Sequence, residues 1–311
     1  MDNVLLIDGH NAMWRACVSF GPPTKHEPCL AYGQILCQHP LGEAGVEHCT
    51  CGARWDFIEN KCYGEKYVFI YNFFRNLRPI IEDISPDKCY FVLEGRPQFR
   101  YDLFPDYKSN RLIKQAAAKK DVMSKFLEAK DEIIHLLQYL PITIARAAAY
   151  EADDVIATLV EDMKDEDLTV LSNDSDYKQL LQKGYKNLLV YNPIKKEAME
   201  APPQNYIAYR SLTGDKSDNI PRLVSDKKAL QYCNDPELFR KFMAVEENRA
   251  NFSVNRQLIE FRAVPPEEII LQEGTRNFAK LKEEFGRMAF ESIINYISWL
   301  KYTKTFDCLR Y

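Results

Sequence analysis

Two periods alternate along the first two thirds of the chain. Apolar runs of strand length fall at 3–8 (Asn-Val-Leu-Leu-Ile-Asp), 89–93, 142–145, 168–171 and 188–191. Between them apolar residues recur at helical spacing. Ile70, Phe73, Phe74, Leu77 and Ile81 do so within 67–83, and Phe126, Leu127, Ile133, Ile134 and Leu137 within 123–140. Shorter helices are expected over 12–18, 154–163 and 177–181, and Pro79 is expected to kink or end its helix early. Strands alternating with helices predict an α/β fold, a mostly parallel central sheet flanked by helices on both faces. Beyond Arg222 the strand pattern fades, and helices are expected around 235–244, 252–261 and 279–299. The chain thus reads as a core over 1–221 and a smaller helical region over 222–311.

Residues 21–65 carry neither period and read as an insertion rich in Pro, Gly, Cys and His. Six of the nine cysteines lie between Cys17 and Cys62, an asymmetry that asks for a local explanation. Cys29, Cys37, Cys49, Cys51 and Cys62, with His39 and His48, offer more soft donors than one tetrahedral Zn²⁺ requires. The candidate is a structural Zn²⁺ with its four ligands left open; the alternative is a loop with incidental thiols. Disulfides are not expected in a reducing compartment.

Composition changes the picture only modestly. A chain of 311 residues, 46% hydrophobic and 28% charged, is ordinary for a soluble globular protein. It has no run of about 18 apolar residues, and Asp2 and Asp8 flank the short apolar run at its start. Neither a membrane span nor a secretory leader is expected, and the location is read as cytoplasmic. The net charge of −4 argues weakly against a polyanion partner. Basic residues nonetheless cluster at Lys108–Lys120 and Arg222–Lys228, and local patches matter more than the mean.

The candidate chemistry lies in acids. Three short acidic blocks occur at 150–154 (Tyr-Glu-Ala-Asp-Asp), 172–176 (Ser-Asn-Asp-Ser-Asp) and 214–219 (Gly-Asp-Lys-Ser-Asp-Asn). Asp8 and Glu94 each follow an apolar strand run, where parallel sheets place their ligand sites. Carboxylates gathered this closely repel one another, so a fold that collects them calls for hard divalent cations, Mg²⁺ or Mn²⁺. Beside them, Tyr107, Lys108 and Arg111 offer a stacking ring and two phosphate ligands, extended by Lys114.

In this order the blocks resemble the 5′ nuclease family: flap endonucleases, phage 5′-3′ exonucleases and the 5′-nuclease domain of DNA polymerase I. The resemblance rests on Asp8-Gly9-His10-Asn11, Phe99-Arg100, Tyr107-Lys108-Ser109-Asn110-Arg111, Tyr150 to Asp154, Asn173 to Tyr177, and Gly214 to Pro221. It covers roughly 1–221 without the insertion, and the length and helical tail look most like a phage-encoded, polymerase-free member. It implies a PIN-like 5′ nuclease core with a DNA-binding helical region, and cleavage through two Mg²⁺ (or Mn²⁺). One cation would be held by Glu94, Glu151, Asp153 and Asp174, with Asp8 contributing directly or through water. The other would be held by Asp176, Asp215 and Asp218, with Asp174 as a candidate bridge and Asp154 acting nearby or through water. Lys108 and Arg111 would hold the scissile phosphate, and Tyr107 would stack on an unpaired terminal base.

Two departures stand out. Glu94 replaces the family's usual Asp, and the glycine-rich hairpin expected after Pro221 reads Arg222-Leu223-Val224-Ser225-Asp226-Lys227-Lys228. Duplex contact is then expected from Arg222, Lys227 and Lys228 by charge. The implied substrates are DNA with 5′ flaps, nicks or ends and RNA–DNA hybrids, in primer or flap removal. The implied protein is a monomer in a host cytoplasm, with a single-strand-binding protein or clamp as candidate partner. The alternatives are a non-catalytic junction-binding protein and a PIN-like ribonuclease.

Overall fold

The computed structural model describes residues 1–18, 54–56, 61–63, 66–110, 120–288 and 290–310. The first strand, β1 (Asn3–Asp8), is buried over Val4–Ile7 and runs directly into α1 (Gly9–Val18). An antiparallel pair follows, β2 (Arg54–Asp56) and β3 (Lys61–Tyr63). This pair falls inside the stretch for which no element was expected. Of the candidate zinc ligands, Cys29, Cys37, His39, His48, Cys49 and Cys51 lie outside the described residues, as does the side chain of Cys62.

Next come α2 (Lys66–Ile84), β4 (Lys88–Leu93) and α3 (Gln98–Leu103). The expectation that Pro79 ends its helix early is corrected, because α2 continues through it to Ile84. Pro79 sits on the exposed side, while Phe73, Phe74, Leu77 and Ile81 stay buried on either side of it. The apolar stripe outweighs one lost hydrogen bond. After α4 (Lys120–Leu137) and β5 (Thr143–Arg146) come α5 (Ala152–Asp162) and β6 (Asp167–Leu171). A 3₁₀ turn at Ser175–Tyr177 leads into α6 (Lys178–Leu181), and then β7 (Leu188–Asn192) and β8 (Glu197–Ala198).

The C-terminal third holds α7 (Tyr206–Thr213), α8 (Asp226–Asn234), α9 (Pro236–Met243) and α10 (Glu246–Ile259). Then follow β9 (Ile270–Gln272), α11 (Phe278–Arg287), α12 (Glu291–Ile294) and α13 (Tyr296–Thr305). Three expectations are corrected here. Helix α8 was not foreseen; the Ser225 side chain caps it by accepting from the Lys228 N–H. The single helix expected over 279–299 is three segments, because Phe290 turns into the core and Asn295 caps α13. The strand signal does not end at 222, since β9 forms one edge of the sheet.

Seven strands form a mixed sheet in the order β8-β7-β6-β1-β4-β5-β9. β1 pairs in parallel with β6, β6 in parallel with β7, and β7 antiparallel with β8. The chain divides into two compact units. One holds 1–10, 89–118 and 145–272; its core joins Val4, Leu6, Val92, Val170 and Val190 of the sheet to Val155, Ile156, Leu159 and Val160 of α5. The other holds 11–88, 119–144 and 273–311, and its described core is aromatic, with Phe74, Phe285, Phe290, Tyr302 and Phe306 in edge and tilted contacts. Among the described residues no helix is long and apolar enough to cross a membrane.

Candidate active site

Strand order explains why distant acids meet. β6, β1 and β4 are neighbours, so Asp174 beyond β6, Asp8 ending β1 and Glu94 just after β4 emerge side by side. Helix α5 brings its own acids in its first turn: Glu151 at the N-cap, then Asp153 and Asp154. Glu94 reaches across to accept the Ala152 N–H at 2.7 Å, and Asp8 accepts the Ser172 hydroxyl at 3.0 Å. Gly95 makes this approach feasible. Its N–H donates to the Tyr150 carbonyl at 3.0 Å, and a Cβ there would lie 2.1 Å from the Ala147 oxygen.

Four of these acids bear electrostatically on one buried hydroxyl. Tyr177 is buried, its OH finds no hydrogen-bond partner, and burial followed by the charges of Asp8, Asp153, Asp174 and Glu94 pushes its pKa up. The carboxyl groups disturb each other as well. Burial above all pushes Glu94 up to about 7, with Glu151 and Asp8 adding to it while Lys108 opposes. Burial, then Glu151 and Glu94, pushes Asp153 well above the usual carboxylate range.

A second group adjoins the first. Asp174 accepts the Asp176 N–H at 2.9 Å, and Asp176 accepts the Tyr206 hydroxyl at 2.9 Å. Burial, then Asp174, pushes Asp176 up to about 7. Asp215 behaves differently. Although burial opposes, two Ser217 hydrogen bonds at 2.6 Å and the Arg210 guanidinium hold it low. Gly214 fixes that turn with φ +68°, where a Cβ would lie 2.5 Å from the Ile220 oxygen. The Lys108 N–H donates to the Asp218 carbonyl at 2.9 Å, and the Asn219 amide donates to the Asp106 carbonyl at 3.1 Å. The 104–110 and 214–221 loops are thereby locked together.

Not every expected ligand is available. Asp154 is fully buried, and both its oxygens are engaged. They accept Arg100 at 2.6 and 2.8 Å, the Arg262 N–H at 2.8 Å and the Glu151 N–H at 3.2 Å. In this arrangement Asp154 anchors the start of α5. Glu151 accepts Arg100 at 2.8 Å, the Tyr107 hydroxyl at 2.9 Å, and Lys108. Despite its burial, Lys108 and Arg100 hold it below its ordinary value. Tyr107, expected to stack on a base, is placed differently in the structure. It is 3% exposed, packed with Leu258, Ile259 and Ile220, and its hydroxyl orients Glu151 instead. Arg111 and Lys114 lie outside the described residues, whereas Arg222, Lys227 and Lys228 are exposed around the start of α8.

Sequence reasoning missed Arg100, Tyr177, Tyr206 and Arg210 as site residues. Tyr206 and Arg210 stand four residues apart on α7, one turn before the third acidic block, and that spacing was the available signal. The donors fit a hard divalent cation: carboxylate oxygens, several driven up by burial and then by mutual crowding. Among the described residues, however, no three such side chains close into a ready cage. Arg100, Lys108 and Arg210 are drawn among them instead.

Comparison with known proteins bears on this arrangement. A family model described as 5′-3′ exonuclease, N-terminal resolvase-like domain, matches residues 53–208. The thermostable DNA polymerase I of Thermus filiformis is 29% identical over 177 residues, 54% of this chain and 20% of that protein. A 5′-3′ exonuclease of Bacillus subtilis is 30% identical over 194 residues, 58% of this chain and 62% of that protein. The chain thus spans only about a fifth of the polymerase, for which the match covers 20%. In architecture it is similar to the bacteriophage T5 flap endonuclease in a pseudo-enzyme–product complex with DNA and metal ions. The TM-score is 0.58 at 14% identity, covering 98% of this chain and 97% of that one. A structure of the T5 5′-exonuclease with bound zinc gives 0.54 at 15% identity, covering 98% of each chain.

Proposed function

The chain belongs to the 5′-3′ exonuclease family by its N-terminal resolvase-like domain, and on that premise we propose that it is a structure-selective 5′ nuclease hydrolysing phosphodiester bonds of DNA. The observation that carries the proposal is the strand order β6-β1-β4, which brings Asp174, Asp8 and Glu94 to the same end of the sheet beside the first turn of α5, with Glu94 on the Ala152 N–H, Asp8 on the Ser172 hydroxyl and Asp174 on the Asp176 N–H. Asp8, Glu94, Asp153 and Asp174 would hold one Mg²⁺ or Mn²⁺, and Asp174, Asp176, Asp215 and Asp218 a second. Bound there, such cations make water acidic enough to attack at neutral pH and stabilise the leaving 3′ oxygen.

The side chains do the rest. Lys108 is aimed by Glu151 and lies 3.8 Å from Asp218, so its ammonium stands between the two acid groups, where a phosphate would meet it. Arg100 and Tyr107 fix Glu151 from behind and so set the position of Lys108. Arg111 and Lys114, outside the described residues, are the further phosphate ligands of this reading. Arg222, Lys227 and Lys228 near α8 contact duplex backbone by charge, in place of a glycine-rich hairpin. The substrates are 5′ flaps, nicked duplexes and RNA–DNA hybrids, met during primer or flap removal, with a single-strand-binding protein or clamp as recruiting partner. The Cys/His-rich stretch holds a structural Zn²⁺.

Labelled 5′-flap, nicked-duplex and RNA–DNA substrates, each incubated with Mg²⁺ or with EDTA, test the reading. Short 5′ products that need Mg²⁺ and vanish in Asp176→Asn support it and rank the substrates. Binding without cleavage in Mg²⁺ and in Mn²⁺ would leave a junction-binding protein.

A further inference from the structure

Helix α7 places Tyr206 and Arg210 one turn apart on one face, and both reach Asp176. The Tyr206 hydroxyl donates to Asp176 Oδ1 at 2.9 Å, and Arg210 Nε lies 3.7 Å from that same oxygen. The guanidinium then spans to Asp215, donating to its Oδ2, while Nη1 donates to the Gly214 carbonyl at 3.2 Å. Its Nε is buried and has no hydrogen-bond partner. A cation of fixed charge thus stands between two of the carboxylates proposed to bind a metal, and it is not itself optimally bonded there.

We propose that Arg210 is a built-in counter-cation, which holds Asp176 and Asp215 together in the metal-free protein and weakens the binding of a divalent cation to that pair. This rests on the cation-dependent reading above and adds a residue that tunes it. The physical cause is repulsion. A divalent ion on Asp176 and Asp215 must either sit beside the guanidinium or displace it from both carboxylates, and each course costs affinity. The guanidinium cannot relieve the conflict by losing a proton, because arginine stays charged in proteins. Tyr206 supports the arrangement by donating to the same Asp176 oxygen.

Calorimetric titration of Mn²⁺ into the metal-free full chain tests this, with thermal unfolding measured in parallel. Arg210→Gln is expected to bind the weaker equivalent at least about tenfold more tightly than wild type. Its metal-free form unfolds at lower temperature, and saturating Mg²⁺ raises its Tm by more than it raises that of wild type. Arg210→Lys retains the charge and is expected to stay within about threefold of wild-type affinity.

Unchanged or weaker binding by Arg210→Gln overturns the proposal, as does an equal gain in Arg210→Lys. A Gln variant that folds only with Mg²⁺ shows the same competition in extreme form; one that Mg²⁺ does not rescue counts against it. Absence of Mn²⁺ binding by the wild type removes the cation-dependent reading and this proposal together. Binding by the wild type with no change in the variant removes this proposal alone.

Discussion

Removing the guanidinium of Arg100 is the most demanding test of how the site is built. Arg100 is 2% exposed and makes two bonds to Asp154, at 2.6 and 2.8 Å, and one to Glu151 at 2.8 Å. Its Nε donates to the Leu258 carbonyl at 3.1 Å. Arg100→Met keeps much of the aliphatic stem but leaves two buried carboxylates short of a cation. Breaking one side of a buried pair typically costs about 3–5 kcal/mol. Two features keep the loss inside that range. Asp154 retains the Arg262 and Glu151 N–H groups, and Glu151 retains Lys108 and Tyr107.

Equilibrium urea unfolding at pH 7.5, followed by circular dichroism, measures the loss. Adding Asp154→Asn should recover part of it, because the orphaned charge is then gone. The pH dependence has a definite sign. Glu151 is held below its ordinary value in the folded protein, so its contribution is present above the unfolded value, about 4.3, and is lost as pH falls through the folded one. The variant, with one cation fewer beside Glu151, should lose less on acidification than wild type. A cost below about 1 kcal/mol would refute the anchoring role and place Arg100 among pairs of surface strength.

Other outcomes follow from the same geometry. Lys108→Gln should lower kcat about 10²–10³-fold with a smaller change in KM; a drop under tenfold would remove it from the phosphate site. In EDTA, stability should fall as pH rises from 5 to 8. Glu94 and Asp176 titrate near 7 when folded, so the folded state holds more protons than the unfolded one across that window. Mg²⁺ should flatten the profile, and thermal scans in EDTA that are level between those pH values would sink the argument. Lys227→Gln with Lys228→Gln should reduce the slope of log Kd for duplex against log salt by about 2, and an unchanged slope would place duplex contact elsewhere.

The sheet was legible because each strand run is short and apolar, and two of them end at an acid, Asp8 and Glu94. The helical tail was less so, since α8 and α12 are set by caps such as Ser225 and by the inward turn of Phe290, not by period. Strand β9 is exposed throughout and carries no alternation to read. The acid inventory was visible from spacing and resemblance, but which acids remain open to a cation was not. That depends on Arg100 and Arg210, each far in sequence from at least one acid it meets. Tyr107 shows the same limit: a ring beside a Lys reads as a stacking platform until its burial against Leu258 and Ile259 is known.

The nine acids therefore separate by what neutralises them. Glu151 and Asp154 are balanced by Arg100, with Lys108 on Glu151, and Asp215 by Arg210 with Ser217. Glu94, Asp153 and Asp176 are instead driven up toward protonation. Among the described residues, Arg100, Lys108 and Arg210 offset part of this charge, and burial raises the cost of holding the crowded acids ionised. Two divalent cations would bring positive charge to the carboxyls that burial and crowding drive up. On this reading the ion-paired acids form a rigid frame, and the crowded ones supply the affinity for metal.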